Sequence, residues 1–514
     1  MKKVLLLVVD ALATRVVQPA LEDGKLPNLK RLVDAGEFRG NCVPIFPSIT
    51  PAATCGIVTG CYPRDSKVLG AYFYDTEEHH VYYYGDDFWV ILAEGPSKFF
   101  DDFLYKLNFE LLECPTLFEH VERAGLRSAC INYLWFRGDV EHKVHVPWLL
   151  RLLPGVSSSN RVKGPQILCL GDFVTTRPHP RGEKLSTKGG LFRRFGFDDE
   201  STADYLLELV EKGGLPDFTL AYFPDNDYAS HDVGPRAAIE TLQAFDATLG
   251  RLIGQWKSLD AMLQEVVVLI TGDHSQTDMI EDAEQASIEL ATVLDDFEIV
   301  DAGEDWDEPD ELMVCTNMRA VQIYVRERAW PRVSHLVQKL LADQRVDQVI
   351  RRSEWHTDAS NSYCVVTRDR GTLRFRLAGP DEKGTLVDDY GGRWAFEGAF
   401  EAVDARVDPE GRIQFGDYPN ALERIATCFR QDVGGDLWVT ARPGYEFRTP
   451  RTSVHSGGSH GALHIGDSQV PLIAAGSAAA LPERPRTVDV APLCLALLGI
   501  TPPRSVGASH METP

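Results

Sequence analysis

The chain has 514 residues, of which 44% are hydrophobic and 25% charged, a composition that excludes disorder, collagen and coiled coil as its main state. Its 52 Lys and Arg residues against 76 Asp and Glu residues give a net charge of −24, which argues against nonspecific nucleic-acid binding through a basic surface. An enzyme this acidic that acts on an anion needs a locally positive site, such as a bound metal ion.

The first predicted element is a buried strand at Val4–Val9. Two lysines precede it, as in a secretory signal, but the apolar run is shorter than the roughly 7–15 residues of a signal's apolar region and ends at Asp10. No stretch approaches the ~20 apolar residues of a membrane-spanning helix. We therefore expect a soluble, cytoplasmic protein in which this strand delivers Asp10 to the edge of a sheet.

The ten cysteines are scattered along the chain without a CxxC pair. In a chain of this length, such scatter does not indicate a disulfide framework. Several cysteines lie in apolar runs, where the side chain packs as a small hydrophobe. We therefore expect buried cysteines and a reducing compartment.

Short apolar runs alternate with amphipathic segments along the chain. Runs rich in Val, Ile and Leu that lack polar alternation are typical of parallel strands covered on both faces. The alternation predicts an α/β fold, a doubly wound, mostly parallel sheet sandwiched by helices. The predicted strands are Val4–Val9, Ser128–Asn132, Phe218–Phe223, Val266–Ile270 and Val470–Ala475. The predicted helices are Leu26–Ala35, Thr116–Ala124, Thr202–Lys212 and Arg236–Ser258.

The character of the sequence changes between residues 277 and 455, beginning with the acidic segment Asp295–Glu311, which has ten Asp and Glu residues. We predict an inserted α+β or cap region at 277–455, between two parts of the core at 1–276 and 456–503. The aromatic-rich stretch 72–110 is predicted to be a smaller excursion, and 504–514 a tail. The elements predicted within the insertion are the strands Ala320–Val325, Thr372–Leu377 and Gly411–Phe415 and the helix Arg332–Leu341.

Acidic and histidine residues stand at the ends of several predicted strands. Singly, each has a plainer explanation as a helix cap or a surface residue. Because ligands of such sheets gather at the carboxyl ends of the strands, we expect these side chains to meet at one edge. The residues are Asp10, Asp227, His231, Asp273, His274 and His460.

Thr50 is predicted at the N-terminus of a short helix that begins near Pro51. The positive end of the helix dipole there favours an alkoxide or a phosphoryl group. Together with the six strand-end residues, Thr50 completes a set of nitrogen and oxygen ligands. Such a set suits two divalent cations of borderline softness, with coordination positions left for substrate.

Seven motifs carry a resemblance to a known family: Val8-Val-Asp10-Ala-Leu12, Leu26-Pro-Asn-Leu-Lys-Arg-Leu-Val-Asp-Ala-Gly36, Phe46-Pro-Ser-Ile-Thr50-Pro51, Ile57-Val-Thr-Gly-Cys-Tyr-Pro63, Asp227-x-x-x-His231-x-x-Gly-Pro235, Thr271-Gly-Asp273-His274 and Gly458-Ser-His460-Gly461. Their order and spacing resemble the alkaline phosphatase superfamily, specifically its type I phosphodiesterase/nucleotide pyrophosphatase branch, with phosphonoacetate hydrolase nearby. The resemblance covers most of residues 1–275 and 440–503, and the motifs are jointly specific.

The resemblance implies that Thr50 is the nucleophile and that two zinc ions are bound, with manganese or another divalent ion as the alternative. Metal coordination is one of the few ways to activate a threonine hydroxyl. Two metals ~4 Å apart stabilise the attacking and leaving oxygens of a phosphoryl displacement. The implied ligands are Asp227, His231 and His460 for one ion, and Asp10, Asp273, His274 and the Thr50 oxygen for the other.

One segment, Gly70–Asp75, departs from the family pattern. Where relatives usually carry an Asn that donates to a phosphoryl oxygen, this chain has Ala71, with Tyr72 next to it. Loss of one such donor costs about 10²–10³ in rate. We expect that Tyr72 or a residue of the insertion replaces the donor, or that the substrate class is unusual. His455 and His464 flank His460 and are weaker candidates for substrate contact.

The predicted function is metal-dependent phosphoester hydrolysis, acting on phosphodiester or pyrophosphate bonds through a phosphorylated Thr50. The alternatives within the superfamily are a phosphonate (C–P) hydrolase and a phosphomonoesterase, whereas the nucleophile segment lacks the Cys/Ser-x-Pro-x-Arg pattern of sulfatases. An alternative of another class is a metal-binding interaction protein without activity. We expect a small phosphorylated substrate rather than a nucleic-acid polymer, and the oligomeric state stays open.

Overall fold

The structure is a computed structural model that describes residues 2–84, 102–145, 161–176, 191–304, 306–307, 309–352, 362–430, 433–477 and 479–503. The predicted tail at 504–514, the stretch 85–101 of the smaller excursion, and Asp305 and Glu308 of the acidic segment lie outside the described residues.

The five predicted strands belong to one sheet of eight strands, which Gly36–Cys42, Ile167–Leu170 and Val174–Thr175 complete. Its five central strands are parallel to one another. At the two sides, each added strand pairs antiparallel with its inner neighbour. The predicted doubly wound, mostly parallel sheet is therefore confirmed. In spatial order the strands are Gly36–Cys42, Val470–Ala475, Val266–Thr271, Lys3–Val9, Phe218–Phe223, Ser128–Ile131, Ile167–Leu170 and Val174–Thr175.

Helices cover both faces of this sheet, which explains why its strands lack polar alternation. In the central strand Lys3–Val9, Val4, Leu6 and Val8 pack into one apolar layer, and Leu5, Leu7 and Val9 pack into the other. The first layer includes the helices Thr50–Thr59, Leu117–Arg123 and Val490–Leu497. The second includes Thr14–Glu22, Pro27–Asp34, Asp199–Gly213, Ile239–Ile253 and Leu259–Glu265.

A second, ten-stranded sheet is built from the part of the chain between residues 312 and 441. The helices Trp330–Ala342 and Ala421–Cys428 pack on its opposite faces. The domain boundaries at 277 and 455 stay a prediction. In spatial order the strands are Leu312–Asn317, Ala320–Val325, Leu437–Ala441, Val346–Arg352, Ser362–Val366, Thr372–Leu377, Arg393–Gly398, Leu386–Asp388, Arg412–Phe415 and Ala405–Val407.

Short ladders and helices complete the described structure. The ladders are Tyr72–Asp75 with His80–Tyr83, Val140–Lys143 with Arg161–Gly164, Thr277–Asp278 with Gly458–Ser459, and Ser287–Glu289 with Glu446–Arg448. The helical segments are Pro63–Ser66, Asp102–Leu111, Leu191–Gly196, Asp225–Val233, Ala283–Ala286, Leu290–Val293, Phe400–Val403, Ile465–Ser468 and Thr487–Asp489.

The cysteines depart from the prediction at one pair, because Cys61 and Cys114 form a disulfide. They are 53 residues apart in sequence, so no local spacing signals the pairing. The other eight cysteines are free and buried, as predicted. A disulfide is typical of oxidising compartments, so this pair does not favour the reducing compartment that the scatter suggested. Among the described residues, no helix combines the length and the apolar character that crossing a membrane requires.

Candidate metal centre and active site

The carboxyl ends of three neighbouring strands bring the predicted ligands to one edge of the first sheet. Asp10 follows Lys3–Val9, and its amide donates to the carbonyl of Phe223, at the end of the next strand, over 2.9 Å. Asp273 and His274 follow Val266–Thr271. The other ligands come from the helix Asp225–Val233, which holds Asp227 and His231, and from the loop that holds His460.

Thr50 is the first residue of the helix Thr50–Thr59, one residue earlier than predicted. Pro51 follows it at a position where proline's missing N–H costs nothing. The Thr50 hydroxyl lies 3.0 Å from Nε2 of His274. The structure therefore places the predicted nucleophile against a predicted metal ligand, at the positive end of a buried helix.

His274 lies at the centre of the cluster. Its Nε2 is 3.3 Å from Oδ1 of Asp10 and 3.6 Å from Oδ2 of Asp273. On the other side, Asp227 lies between two imidazoles, with its Oδ1 3.7 Å from Nε2 of His460 and its Oδ2 3.3 Å from Nε2 of His231.

Two groups of three residues have ligand atoms that all lie within 4.8 Å of one another. The first group is Asp10, Asp273 and His274, which are three of the ligands implied for one ion. The second is Asp227, His274 and His460, whereas the resemblance implied His231 in place of His274. His231 approaches this group through Asp227 and through its ring, whose centroid lies 5.2 Å from that of His460. All seven predicted residues thus meet at one site, while the partition of ligands between two ions stays a prediction.

All three imidazoles are oriented by the backbone. Nδ1 of His231 lies 2.8 Å from the Gly458 carbonyl oxygen, and Nδ1 of His460 lies 2.8 Å from that of Ser48. Nδ1 of His274 lies 3.1 Å from the carbonyl oxygen of Ser275. Because a carbonyl only accepts, each Nδ1 carries the hydrogen and each Nε2 turns a lone pair toward the cluster. This is the arrangement of histidines that bind a metal ion.

Several polar atoms facing the cluster are buried without a hydrogen-bond partner. They are Oδ1 of Asp10, Oδ2 of Asp273, Nε2 of His231 and Nε2 of His460. Buried polar atoms in proteins are nearly always satisfied, so four orphans at one place require an explanation. Carboxylate oxygens and imidazole nitrogens are ligands of zinc and similar divalent ions, and the residues therefore fit such ions.

The electrostatics of the cluster point the same way. Burial, reinforced by the charges of Asp227 and Asp273, raises the pKa of Asp10 well above its usual value. Burial likewise raises the pKa of Asp273, and the neighbouring Asp227 adds to the shift although His274 opposes it. Burial and the charge of His274 lower the pKa of His460 well below its usual value. Crowded carboxylates that are costly to ionise gain most from a bound cation.

Three supporting residues escaped sequence reasoning. The Tyr222 hydroxyl donates to Oδ2 of Asp10, and the Asn226 side chain donates to the Asp10 carbonyl over 2.9 Å. The Gln276 amide donates to Oδ1 of Asp227. Each lies within a strand, helix or loop next to a ligand, and no spacing rule distinguishes such a residue from its neighbours.

Tyr72 does not take the place expected of it. Its side chain is fully buried, and its hydroxyl accepts a hydrogen bond from the Gly303 amide over 3.1 Å. Its ring packs edge-on against Tyr83 at 5.5 Å between centroids. It therefore packs the Tyr72–Asp75 strand against the acidic segment and presents no surface to a substrate. The backbone amide of Ala71, nearby, donates to the side-chain oxygen of Asn317 from the second sheet over 2.7 Å.

His455, a weak candidate from sequence, lies directly beside the cluster. Its ring stacks on that of His231 with centroids 3.9 Å apart, and its Nδ1 lies 3.0 Å from Oε1 of the buried Glu446. His455 and Glu446 line a cavity of about 40 Å³ that also borders Ile49, the neighbour of Thr50. His455 thus separates a predicted metal ligand from a space next to the predicted nucleophile.

A second cavity, of about 570 Å³, lies elsewhere, and its described lining contains none of the seven predicted ligands. Ser275 and His464 line this cavity, so it borders the loops that carry His274 and His460. We place the chemistry at the metal cluster, because the unsatisfied ligand atoms are there.

Comparison with known proteins identifies the family of the chain. The family model described as type I phosphodiesterase / nucleotide pyrophosphatase matches residues 4–463. A 2,3-bisphosphoglycerate-independent phosphoglycerate mutase from Thermococcus gammatolerans is 29% identical over 171 residues, which are 32% of this chain and 36% of that protein. The chain thus spans about a third of the length of this curated relative.

Two solved structures share the fold over nearly their whole length. Murine ectonucleotide pyrophosphatase/phosphodiesterase 5 superimposes with a TM-score of 0.56 at 14% identity, covering 99% of each chain. Phosphonoacetate hydrolase from Sinorhizobium meliloti, solved with phosphonoformate, superimposes with a TM-score of 0.55 at 16% identity, covering 97% of this chain and 96% of that one. The alkaline-phosphatase-like fold is thereby confirmed. The chain belongs to the type I phosphodiesterase/nucleotide pyrophosphatase family.

Proposed function

We propose that this protein is a hydrolase that cleaves phosphodiester or pyrophosphate bonds of small substrates, with Thr50 as the nucleophile and two divalent cations, zinc by preference, bound at the cluster. The observation that carries the proposal is the set of buried, unsatisfied ligand atoms on Asp10, Asp273, His231 and His460, in a cluster whose central residue, His274, lies 3.0 Å from the Thr50 hydroxyl. When bound, such ions supply positive charge for the attacking and leaving oxygens of the displacement.

The proposed reaction has two steps, both at Thr50. The N-terminal end of the helix Thr50–Thr59 stabilises negative charge that develops on the Thr50 oxygen. In the first step a bond forms between Thr50 Oγ1 and phosphorus and the bond from phosphorus to the leaving oxygen breaks. The proton of the Thr50 hydroxyl passes to the leaving group, which departs as an alcohol or phosphate. In the second step water attacks the phosphorylated Thr50, the Oγ1–phosphorus bond breaks, and the hydroxyl regains a proton. The net reaction consumes one water per bond cleaved.

Charge supports the restriction to small substrates. The acidic segment packs beside the Tyr72–Asp75 strand through Val300 and Ala302, and that strand directly follows Ala71 in the small cavity. Some of its carboxylates are paired, as Glu311 is with Arg332 and Asp301 with Arg451. The whole chain nevertheless keeps a net charge of −24, which disfavours a long polyanion more than a substrate with one or two phosphates.

A substrate panel tests the proposal. Hydrolysis of bis-p-nitrophenyl phosphate with zinc or manganese, and its loss with a chelator, separates an enzyme from a metal-binding interaction protein. Nucleotide esters, dinucleoside polyphosphates, nucleotide sugars and phospholipid head groups then define the leaving group. Phosphonates and phosphomonoesters are the decisive competitors, since faster turnover of either class would replace the proposed one.

A further inference from the structure

A two-residue turn of the second sheet enters the wall of the metal centre. The strands Leu312–Asn317 and Ala320–Val325 pair up to Asn317 and Ala320, so Met318 and Arg319 alone form the turn. The carbonyl oxygen of Asn317 comes so close to Gly461 that a Cβ there would lie 2.4 Å from it. The inserted sheet therefore contacts the backbone of the residue that follows His460.

Arg319 is fully buried at this turn and contacts both the His460 loop and the helix Ile465–Ser468 that follows it. Its backbone amide donates to the carbonyl oxygen of His460 over 2.9 Å. Its guanidinium donates to Asp467, also fully buried, and to the carbonyl of Ala441 over 3.0 Å. Burying a charged pair costs free energy unless both charges are well hydrogen-bonded. The contacts of this pair therefore indicate which parts of the chain it holds together.

Asp467 uses both carboxylate oxygens on the two loops that carry histidine ligands. Oδ2 accepts from the Ala462 amide over 2.8 Å, two residues beyond His460. Oδ1 accepts from the Thr277 hydroxyl, three residues beyond His274. The Asp467 carbonyl accepts from the Ser275 amide over 3.0 Å. One carboxylate and its arginine thus link the inserted sheet to both loops.

We propose that Arg319 and Asp467 are positioning residues that fix the path of the His460 loop, and through it the binding of the metal ion held by His460. This proposal rests on the proposed function for the metals but not on the substrate. The His460 loop is held by both residues, through the Arg319 amide and the Asp467 carboxylate, whereas the Asp467 carboxylate reaches the His274 loop only through Thr277. The contact between the Asp467 carbonyl and the Ser275 amide does not depend on the Asp467 side chain. The effect is therefore expected at one ion rather than at both.

The test measures zinc affinity, by competition with a chromophoric chelator, on variants whose folding is checked by circular dichroism. In Asp467→Asn, one of two zinc equivalents should weaken by at least about 10-fold, as for other residues that orient metal ligands, while the second stays unchanged. Arg319→Lys keeps the charge but loses the forked contact, and it should weaken the same equivalent. Asp388→Asn is the matched control. Asp388 is a buried carboxylate of the second sheet, the sheet of Arg319, and it accepts from the Trp394 indole over 2.6 Å.

A double-mutant comparison identifies the ion. Asp467→Asn added to His460→Ala should cause little further loss, because both changes act on one site, whereas added to Asp10→Asn it should cause its full loss. Equal weakening of both equivalents, no weakening, or a loss that matches Asp388→Asn would overturn the proposal. Zinc binding that behaves as expected in a protein without phosphodiesterase activity would refute the proposed function and leave this inference standing.

Discussion

The imidazole rings of His274 and His460 stack with their centroids 3.6 Å apart and their planes 14° from parallel. In sequence, His274 precedes the second sheet and His460 follows it. Separate backbone carbonyls orient the two rings. Because the rings are stacked, each one limits the movement of the other. Because His274 belongs to both ligand groups, its substitution should disturb both, whereas substitution of His460 should act most strongly on the one group that contains it.

Thr50→Ala should abolish turnover while leaving metal content near that of the wild type, because the carboxylate and imidazole ligands remain. Steady-state hydrolysis of a chromogenic diester and elemental analysis of the same preparation measure the two effects. Thr59→Ala is a suitable control, since Thr59 lies on the same helix and donates to the Cys55 carbonyl within it. Residual activity above roughly a tenth of wild type would indicate attack by a metal-bound hydroxide instead.

The protein should contain about two zinc equivalents per chain, as a two-metal mechanism requires. His460→Ala should selectively weaken one of them, because it removes one imidazole of a three-residue group. His464→Ala provides the comparison, since that histidine lies four positions away and caps a short helix through the Gly466 amide. Full activity without any transition metal would be incompatible with the proposed site.

Asp273→Asn should raise the thermal unfolding temperature of the metal-free protein and lower that of the zinc-loaded protein. Burial and the nearby Asp227 raise the pKa of Asp273, so its ionised form is costly when no cation is present. With zinc, the variant loses a ligand and with it part of the stabilisation that binding supplies. Thermal scans with and without chelator give both values. A variant that is less stable in both states would show that the carboxylate is needed for packing alone.

Thiol titration of the denatured, unreduced protein should give eight reactive cysteines, the number that are free in the structure. After reduction the count should rise to the ten of the sequence. Cys61→Ser should leave nine thiols, because it frees Cys114. Ten thiols before reduction would mean that the disulfide does not form in the purified protein.

Small phosphodiesters should be hydrolysed well and polymeric DNA or RNA poorly. The net charge of −24 repels a long backbone over its whole length, whereas two bound cations offset a substrate with one or two phosphates. Salt should therefore raise kcat/KM for a small substrate only modestly. Faster cleavage per bond of single-stranded DNA at low salt than of a chromogenic diester would show that the acidic surface faces away from the site.

Much of the first sheet could be predicted, because parallel strands buried on both faces leave continuous apolar runs. Phe218–Phe223 and Val470–Ala475 have the predicted bounds. The ligands could be predicted for the same reason, since each strand end limits where a functional residue can stand. Asp10 and Asp273 can be predicted as ligands once the strands before them are known.

The supporting contacts could not be predicted from sequence. The burial of Tyr72 depends on packing against Gly303, 231 positions away, and the disulfide between Cys61 and Cys114 depends on two loops meeting. The pair of Arg319 and Asp467 likewise joins the inserted sheet to a core loop over 148 positions. Such contacts follow from the docking of complete elements, which no local pattern of residue types encodes.

The backbone carbonyls that hold the three imidazoles determine where the centre is vulnerable to mutation. No replacement of a side chain at Ser48 or Ser275 can remove the oxygen that accepts from an imidazole. Harm must instead come from changes that move the main chain. Gly461, at a φ of +113° and in contact with Asn317, and Gly458, where a Cβ would lie 2.8 Å from the Ser230 carbonyl oxygen, are such points. Small glycines that touch no metal should therefore tolerate less variation than many polar neighbours of the ligands.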